Sequence, residues 1–365
     1  MKLSPIWTYL GFAIVAFVMA AIPLLLGDRY ITTVFISVLS FFILGATFDF
    51  MLGYLRIVNF GVGGFLAAGA YTSALLNHHL GVSPWLGLLA GGAVTLVVGV
   101  IAGTITLRLR GIYIGLTTFF VAELIRFTIS SSRDITRGSL GLSTKNFPEI
   151  LGYDFARSDP LGYYYLLLVL SAIIYAGLYG IVRSRIGLLF KAIRDDQLAT
   201  GVLGFDVKRV KLLNFAVASF CFGVVGAFYG NYIGILVPST QEFGIPRTIE
   251  VLAIAYVGGR GTLWGSLLGA FTLVGIQEIF RMADEWRLVI YGSFLVFVLL
   301  VFPRGLAGAV QTGALWLQMR LLASRVGSEG PGGSRSGSRF PGGWRGARRQ
   351  HTGAEVEDRL KPPTE

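Results

Sequence analysis

The sequence predicts an all-α, polytopic integral membrane protein with about eight full transmembrane helices plus a broken helix pair. Two observations carry that prediction. Of 365 residues, 54% are hydrophobic and only 14% charged, with a mean hydropathy of +0.68; a soluble domain carries roughly 25% charge. The apolar residues also fall in runs near the length of about 20 residues that a spanning helix needs. These runs are too long and too uniform for barrel strands, so helices are the remaining way to satisfy backbone polar groups in a bilayer. The composition excludes a disordered chain, a collagen-like fibre and a disulfide scaffold.

In chain order the expected spans are 7–26, 31–48, 57–76, 85–107, 112–130, 163–182 and 211–236, then a complicated stretch at 249–280 and a last span at 287–303. The first run resembles a signal peptide, but Lys2 is its only charge and the next run begins at Ile31, so it reads as an uncleaved span. Orientation follows the Lys/Arg bias. Segment 183–211 holds seven Lys/Arg against three Asp, whereas loop 131–162 holds four of each sign. The first is therefore expected in the cytoplasm and the second outside, with both termini cytoplasmic. Beyond Pro303 lie ten Lys/Arg against five Asp/Glu, which also places the tail inside. Parity then requires 249–280 to enter and leave on one side. Its centre, Gly258-Gly259-Arg260-Gly261-Thr262-Leu263-Trp264-Gly265, breaks a helix into two arms. The division is a transmembrane domain over 1–310, with a cytoplasmic segment at 184–210, and a basic Gly/Ser/Arg-rich tail over 311–365 expected to be disordered.

No enzyme signature is present. The sequence lacks G-x-x-x-x-G-K-[ST], G-x-S-x-G and H-E-x-x-H. Cys221 is the only cysteine and sits in an apolar run; His78 and His79 read as a loop pair and His351 lies in the tail, so no metal site is expected. The net charge of +11 reflects retained cytoplasmic Lys and Arg rather than nucleic-acid binding.

Polar residues in apolar runs are the remaining signal, because they are costly in hydrocarbon and usually face a bundle interior or an aqueous path. Asp49, Arg56, Asn59, Glu123, Arg126, Glu250, Gln277 and Glu278 are such residues. Asp49 and Arg56 read as interfacial anchors. Glu123 and Arg126 share a helix face at i, i+3 and can pair. Asn59, Gly61, Gly63 and Gly64 open the third span, where glycines can unwind a helix start and turn its N–H groups toward a carboxylate. Close packing by small residues, continued by Ala67, Ala68, Gly69 and Ala70, is the competing and compatible reading. With Gly258 and Gly259, these residues and the Glu123–Arg126 pair form the candidate substrate path. In the cytoplasmic segment, Ile186 to Leu203 reads as an amphipathic stretch with an Asp-rich turn, a short helix pair suited to docking a cytosolic partner.

Five blocks in order resemble the inner-membrane permease subunits of ABC importers for branched-chain amino acids, particularly the longer of the two. They are Gly53-Tyr54 through Asn59-Phe60-Gly61 to Tyr71-Thr72; Leu107-Arg108-Leu109-Arg110-Gly111-Ile112-Tyr113 through Glu123 to Arg126; Ser184-Arg185-Ile186-Gly187 through Ala192-Ile193-Arg194-Asp195-Asp196 to Leu203-Gly204; Gly258-Gly259 through Gly261 to Gly265 and Gly269-Ala270; and Tyr291-Gly292 with Pro303-Arg304-Gly305-Leu306. The resemblance implies a bacterial inner-membrane permease, with N- and C-termini cytoplasmic, carrying branched-chain or other small hydrophobic amino acids inward. It further implies a second permease subunit, two cytosolic ATPase subunits that bind the ATP and Mg, and an extracytoplasmic substrate-binding protein; this chain holds no cofactor and contacts membrane lipid but no nucleic acid. Segment 185–204 is then the ATPase-coupling element, through Arg185, Gly187, Ala192, Ile193, Arg194, Asp195, Asp196 and Gly204. Val58-Asn59-Phe60-Gly61-Val62-Gly63 departs from a common Ser-Leu-Gly-His-type turn, which leaves urea or short amides as an alternative cargo. A stand-alone channel or ion-coupled carrier is a third reading, disfavoured because Glu123 is the one deep candidate acid.

Overall fold

A computed structural model describes residues 18–23, 27–109, 111–149, 155–157, 159–280, 292–293, 296–298, 300–301, 305–310 and 312. Most of the expected spans at 7–26 and 287–303, and nearly all of the tail, lie outside the described residues, although 18–23 are helical.

The described elements are helical almost throughout, as the sequence predicts. Helix α1 (Arg29–Leu55) is followed by α2 (Val62–Leu80), α3 (Pro84–Thr106), α4 (Ile112–Ser131) and α5 (Leu161–Arg183). Two short helices, α6 (Arg185–Asp195) and α7 (Gln197–Val202), precede α8 (Val207–Ile233); α9 (Ile245–Gly258) and α10 (Gly265–Ile279) follow, and single helical turns lie at Arg133–Thr136 and Thr240–Phe243. A two-residue strand β1 (Leu142–Ser143) pairs antiparallel with β2 (Ile235–Leu236), placing Leu142 opposite Leu236. Five of the helices, α1, α3, α4, α5 and α8, are long and apolar enough to cross a membrane.

The ends of these helices obey local chemistry. Asp28 caps α1 by accepting from the Tyr30 N–H at 2.9 Å. At the other end Arg56 adopts a left-handed conformation (φ 55°), its N–H bonding to Leu52 O while Ile57 N bonds to Met51 O. That is a Schellman closure, which ordinarily selects glycine. Pro84 starts α3 at a position where no N–H is needed. His78 and His79 belong to the last turn of α2 rather than to a loop.

Helix α2 explains itself by its neighbours. It carries Ser, Thr, Asn and seven Gly or Ala residues, yet it is nearly enclosed by α3, α4 and α8. A helix wrapped in protein needs close approach rather than lipid-facing bulk. A Cβ on Gly69 would stand 2.1 Å from Gly223 O, and one on Gly223 would stand 2.6 Å from Gly91 O. So α2, α8 and α3 meet backbone to backbone at this crossing. The larger side chains then fill around it, with Phe65 edge-on to Phe215 at 5.8 Å.

The expected broken pair is present as α9 and α10. Their junction lies at the same end of the bundle as Leu55, α6 and α7: Gly261 N donates to Asp49 Oδ1 at 2.7 Å, and Tyr54 Oη donates to Gly261 O at 3.1 Å. Helix α10 returns to the opposite end, where Tyr30 Oη donates to Glu278. The two arms therefore leave and return to one end, as parity requires.

Candidate functional site

The first functional region is the end of the bundle that carries α6 and α7. Ser184 caps α6, and Gly187 lets α6 turn back onto α5, because a Cβ there would fall 2.0 Å from Val182 O. Phe190 and Ile193 are buried, with Phe190 edge-on to Phe50 of α1 at 5.5 Å. Arg185 and Ala192 are exposed. Arg194 reaches inward, its Nη1 donating to Gly53 O at 3.1 Å, while its Nε contacts the exposed Asp195 at 3.3 Å. Asp196 separates the two helices and caps α7, Oδ1 accepting from Leu198 N at 2.8 Å and Ala199 N at 3.0 Å. After α7 the chain turns at Gly204 with φ +89°, a position that suits glycine. On the pair and just after it, Leu188, Leu198, Val202, Leu203 and Phe205 are exposed.

Asp49 corrects the expectation of an interfacial anchor. It is fully buried in α1, and its carboxylate holds the N–H of Gly261 in the α9–α10 junction. A helix of 27 residues carries position 49 well below its end, which the shorter run expected at 31–48 concealed. Arg56 is exposed at the helix end, as an anchor would be.

The second region gathers several candidate path residues. Buried Asn59 accepts from Gly61 N at 2.8 Å and bonds Met51 Sδ at 3.7 Å. Thr118 Oγ1 accepts from Phe60 N at 2.9 Å, and Thr248 Oγ1 from Gly63 N at 3.2 Å. The start of α2 thus has its donors held by Asn59, by α4 and by α9. A Cβ on Gly63 would lie 2.4 Å from Phe243 O, and one on Gly64 would lie 2.4 Å from Ala122 Cα. Packing glycines and an unsatisfied-donor site are different uses of the same motif, and the first is realised in this conformation. Glu123 Oε2 accepts from both Nη2 and Nε of Arg126, at 2.7 and 2.9 Å, and Arg126 Nη1 is also directed to Pro238 O at 3.5 Å. Gly63 and Arg126 are therefore brought to one segment, 238–248, whereas Gly61 and Gly64 pack on α4, Asn59 reaches Met51 of α1, and Glu123 joins the group through Arg126. Gly258 and Gly259 stand at the other end of α9, about 20 Å along it by helix rise.

The same segment carries a cluster centred on Arg247, which sequence reasoning missed. Its guanidinium donates to Glu242 at 2.6 Å, Glu250 at 3.2 Å and Tyr229 Oη at 3.1 Å, and lies 5.0 Å over the Phe41 ring. Tyr229 donates to Glu242, and Gln277 of α10 reaches Glu250 at 3.4 Å. A cavity of about 90 Å³ beside it is lined by Ser37, Ser40, Tyr229, Tyr232, Glu242 and Arg247 among others. The i, i+3 spacing of Arg247 and Glu250 is the available signal; Arg247 lies just before the apolar run at 249–280, outside the runs where a polar residue is conspicuous. Among the described residues no group of three His, Cys, Asp or Glu is placed to hold a metal.

An enclosed polar start to α2, a discontinuous α9–α10 pair and five helices long and apolar enough to cross a membrane fit a multi-pass membrane permease. The chain belongs to the family of branched-chain amino acid transport system permease components, whose pattern matches residues 30–302. Over 287 residues it is 30% identical to the high-affinity branched-chain amino acid transport system permease protein LivM of Salmonella typhimurium, covering 73% of this chain and 67% of that protein. Its identity to the protein of the same name in Escherichia coli is 29% over 287 residues, with the same shares covered. It is also 30% identical over 128 residues to the permease protein LivH of Escherichia coli, covering 34% of this chain and 40% of that protein. No solved structure matches the chain.

Proposed function

We propose that this chain is the membrane-spanning subunit of a bacterial inner-membrane ABC importer that carries branched-chain or other small hydrophobic amino acids into the cytoplasm. The observation that carries this reading is the seat of α6–α7: the pair presents an apolar outer surface while Arg194 grips the end of α1 at Gly53. In this reading the α6–α7 end faces the cytoplasm, both termini lie there, and the tail from 311 onward is a basic appendage to the domain over 1–310.

Two cytosolic ATPases bind and hydrolyse ATP with Mg, and one of them receives segment 185–204. Gly187 and Ile193 seat α6 on the bundle, Arg185 and Ala192 face the ATPase, and Gly204 ends the element. Asp195 contributes charge to the docking face, and Asp196 builds the turn that shapes it. A movement of α6 is passed through Arg194 to α1, and through Asp49 to the α9–α10 junction at Gly258–Gly259. Asn59, Gly61, Gly63, Gly64, Glu123 and Arg126, toward the other end of α9, line the path that opens when those helices shift as groups. A second permease, for which the likeness to both LivM and LivH is the support, supplies the opposite wall. An extracytoplasmic binding protein delivers the ligand, and the chain itself performs no catalysis.

The test is uptake of labelled leucine, with labelled urea beside it, in vesicles holding the complete complex with and without internal ATP. ATP-dependent leucine entry that requires the binding protein is the expected result. Urea entry alone changes the cargo, and leucine entry without ATP overturns the importer reading.

A further inference from the structure

Between the ends of α1 and α3 and the starts of α4 and α8 lies a cleft of about 650 Å³, closed on one side by α6–α7. Its lining carries five cations, Arg56, Arg108, Arg194, Lys208 and Lys211, against the two carboxylates of Asp195 and Asp196. Both carboxylates are engaged, Asp195 with Arg194 and Asp196 with the N-terminus of α7. Among the described residues, Arg56, Arg108 and Lys208 have no carboxylate within ion-pair distance, and all three are exposed. Arg56 is held there in a left-handed conformation that a non-glycine residue adopts at some cost.

The cleft is not lined by charge alone. Leu55, Leu107 and Ile114 form an apolar part of its wall. Helix α4, which enters the cleft wall at Ile114, also presents an exposed stripe of Tyr113, Leu116, Phe120, Leu124 and Phe127 on an adjoining face. The spacing of three and four residues keeps that stripe on one face. Helix α4 is also the least buried of the five long apolar helices. A cationic cleft at the ends of long apolar helices, beside an exposed apolar face of one of them, matches a phospholipid: phosphate in the cleft, acyl chains along that face.

We propose that this cleft binds the headgroup of an anionic phospholipid, with Arg56, Arg108 and Lys208 on the phosphate and α4 against the acyl chains. A free inorganic phosphate would meet the cations but leave the apolar face empty. Basic pockets between spanning helices take anionic headgroups by this combination of charge and apolar contact. Because α6 and α8 form one wall and α4 the other, a bound lipid tethers the coupling segment to the spans. The site itself does not depend on which solute is carried.

The test uses the purified full chain, delipidated and exposed to an equal mixture of phosphatidylglycerol and phosphatidylcholine, with bound lipid counted by native mass spectrometry. Phosphatidylglycerol should be retained in preference. The combined variant Arg56→Gln, Arg108→Gln, Lys208→Gln should reduce that retention by about tenfold or more, since each surface cation contributes of the order of 1 kcal/mol. Charge-keeping Arg56→Lys with Arg108→Lys should retain the lipid, as should Arg29→Gln at the opposite end of α1. Equal retention of both lipids, an unaffected triple-Gln variant, or displacement by excess inorganic phosphate would overturn the proposal. So would a triple-Gln variant that keeps its lipid but loses a copurifying protein, which assigns the cleft to an acidic partner.

Discussion

Arg194 of α6 and Gly53 of α1 are joined by a 3.1 Å hydrogen bond from the guanidinium Nη1 to the backbone carbonyl. Two residues later α1 ends, so Gly53 O is one of the carbonyls left without an intrahelical donor. The arginine therefore completes the helix end and ties a helix outside the spans to one inside them. Gly261 of the α9–α10 junction lies within reach of the same guanidinium, 3.8 Å from Nη1 to a Cβ built there. Three elements distant in sequence thus converge on one side chain.

Arg194→Ala should uncouple the complex. A hydrogen bond from a charged donor contributes about 1.5–3 kcal/mol, so transport should fall by roughly tenfold or more while ATP hydrolysis by the partners continues. Measuring both activities on the same reconstituted complex checks this. Equal loss of the two would mean that Arg194 serves assembly rather than transmission.

Asp195 and Asp196 are adjacent, yet the structure gives them different tasks. Asp196 caps α7 and Asp195 is exposed beside Arg194. Asp196→Ser keeps a capping oxygen without the charge and should preserve ATPase copurification, whereas Asp196→Ala loses about 1 kcal/mol of cap and should weaken it. Asp195→Lys places a like charge beside Arg194 and should weaken docking without altering helix content by circular dichroism. Normal copurification and transport in both Asp195→Lys and Asp196→Ala would remove these residues from the docking face.

The sequence made the helical class legible because burial in lipid demands long apolar runs, and the α9–α10 break because Gly258 to Gly265 cannot continue a helix. The Glu123–Arg126 pair was legible for the same kind of reason: three-residue spacing places two side chains together whatever surrounds them. What was not legible depends on contacts between distant segments. Asp49 reads as an anchor until Gly261, 212 positions away, is seen to bond it. Arg247, just outside an apolar run, carries no signal of its own until Glu242, Tyr229 and Phe41 are brought around it. Local periodicity fixes neighbours within a helix turn or two, and carries no information about which helix packs on which.

Asp49→Ala should destabilise the α9–α10 junction by about 1–2 kcal/mol, the cost of leaving the Gly261 N–H without its acceptor. Asp49→Asn retains an oxygen that can accept the same bond and should lose less. Thermal unfolding of the purified chain in detergent distinguishes them, and equal stability of all three forms would show that the bond contributes nothing.

Gly69 carries the tightest constraint among the glycines of α2. Its missing Cβ would stand 2.1 Å from Gly223 O, against 2.4 Å from backbone atoms at Gly63 and Gly64, and backbone cannot swing aside as a side-chain tip can. Gly69→Ala should therefore separate α2 from α8 and cost about 1–3 kcal/mol or more by overpacking. Gly177, whose Cβ would meet nothing within 4 Å, is the matched control and should accept alanine with stability unchanged or raised. The comparison is read from unfolding midpoints in the same detergent. Equal tolerance at both positions would contradict the backbone-to-backbone crossing.

The Arg247 cluster allows a test that separates a paired charge from its desolvation. Arg247 is 16% exposed, while Glu250 and Glu242 keep 23% and 37% of their side chains accessible. Removing the arginine alone leaves two carboxylates facing each other with their common counter-charge gone. Breaking a buried pair costs about 3–5 kcal/mol, and the partial exposure of Glu242 discounts this, so Arg247→Met should lose about 1–3 kcal/mol. Adding Glu242→Gln and Glu250→Gln removes the stranded charges, and much of the lost stability should return, because neutral side chains of similar volume do not need the arginine. The order of unfolding midpoints should therefore be native first, the triple variant close behind, and Arg247→Met lowest. If the triple variant instead unfolds below Arg247→Met, the glutamates stabilise 238–248 through contacts other than the arginine, and the cluster is not held together by its charges.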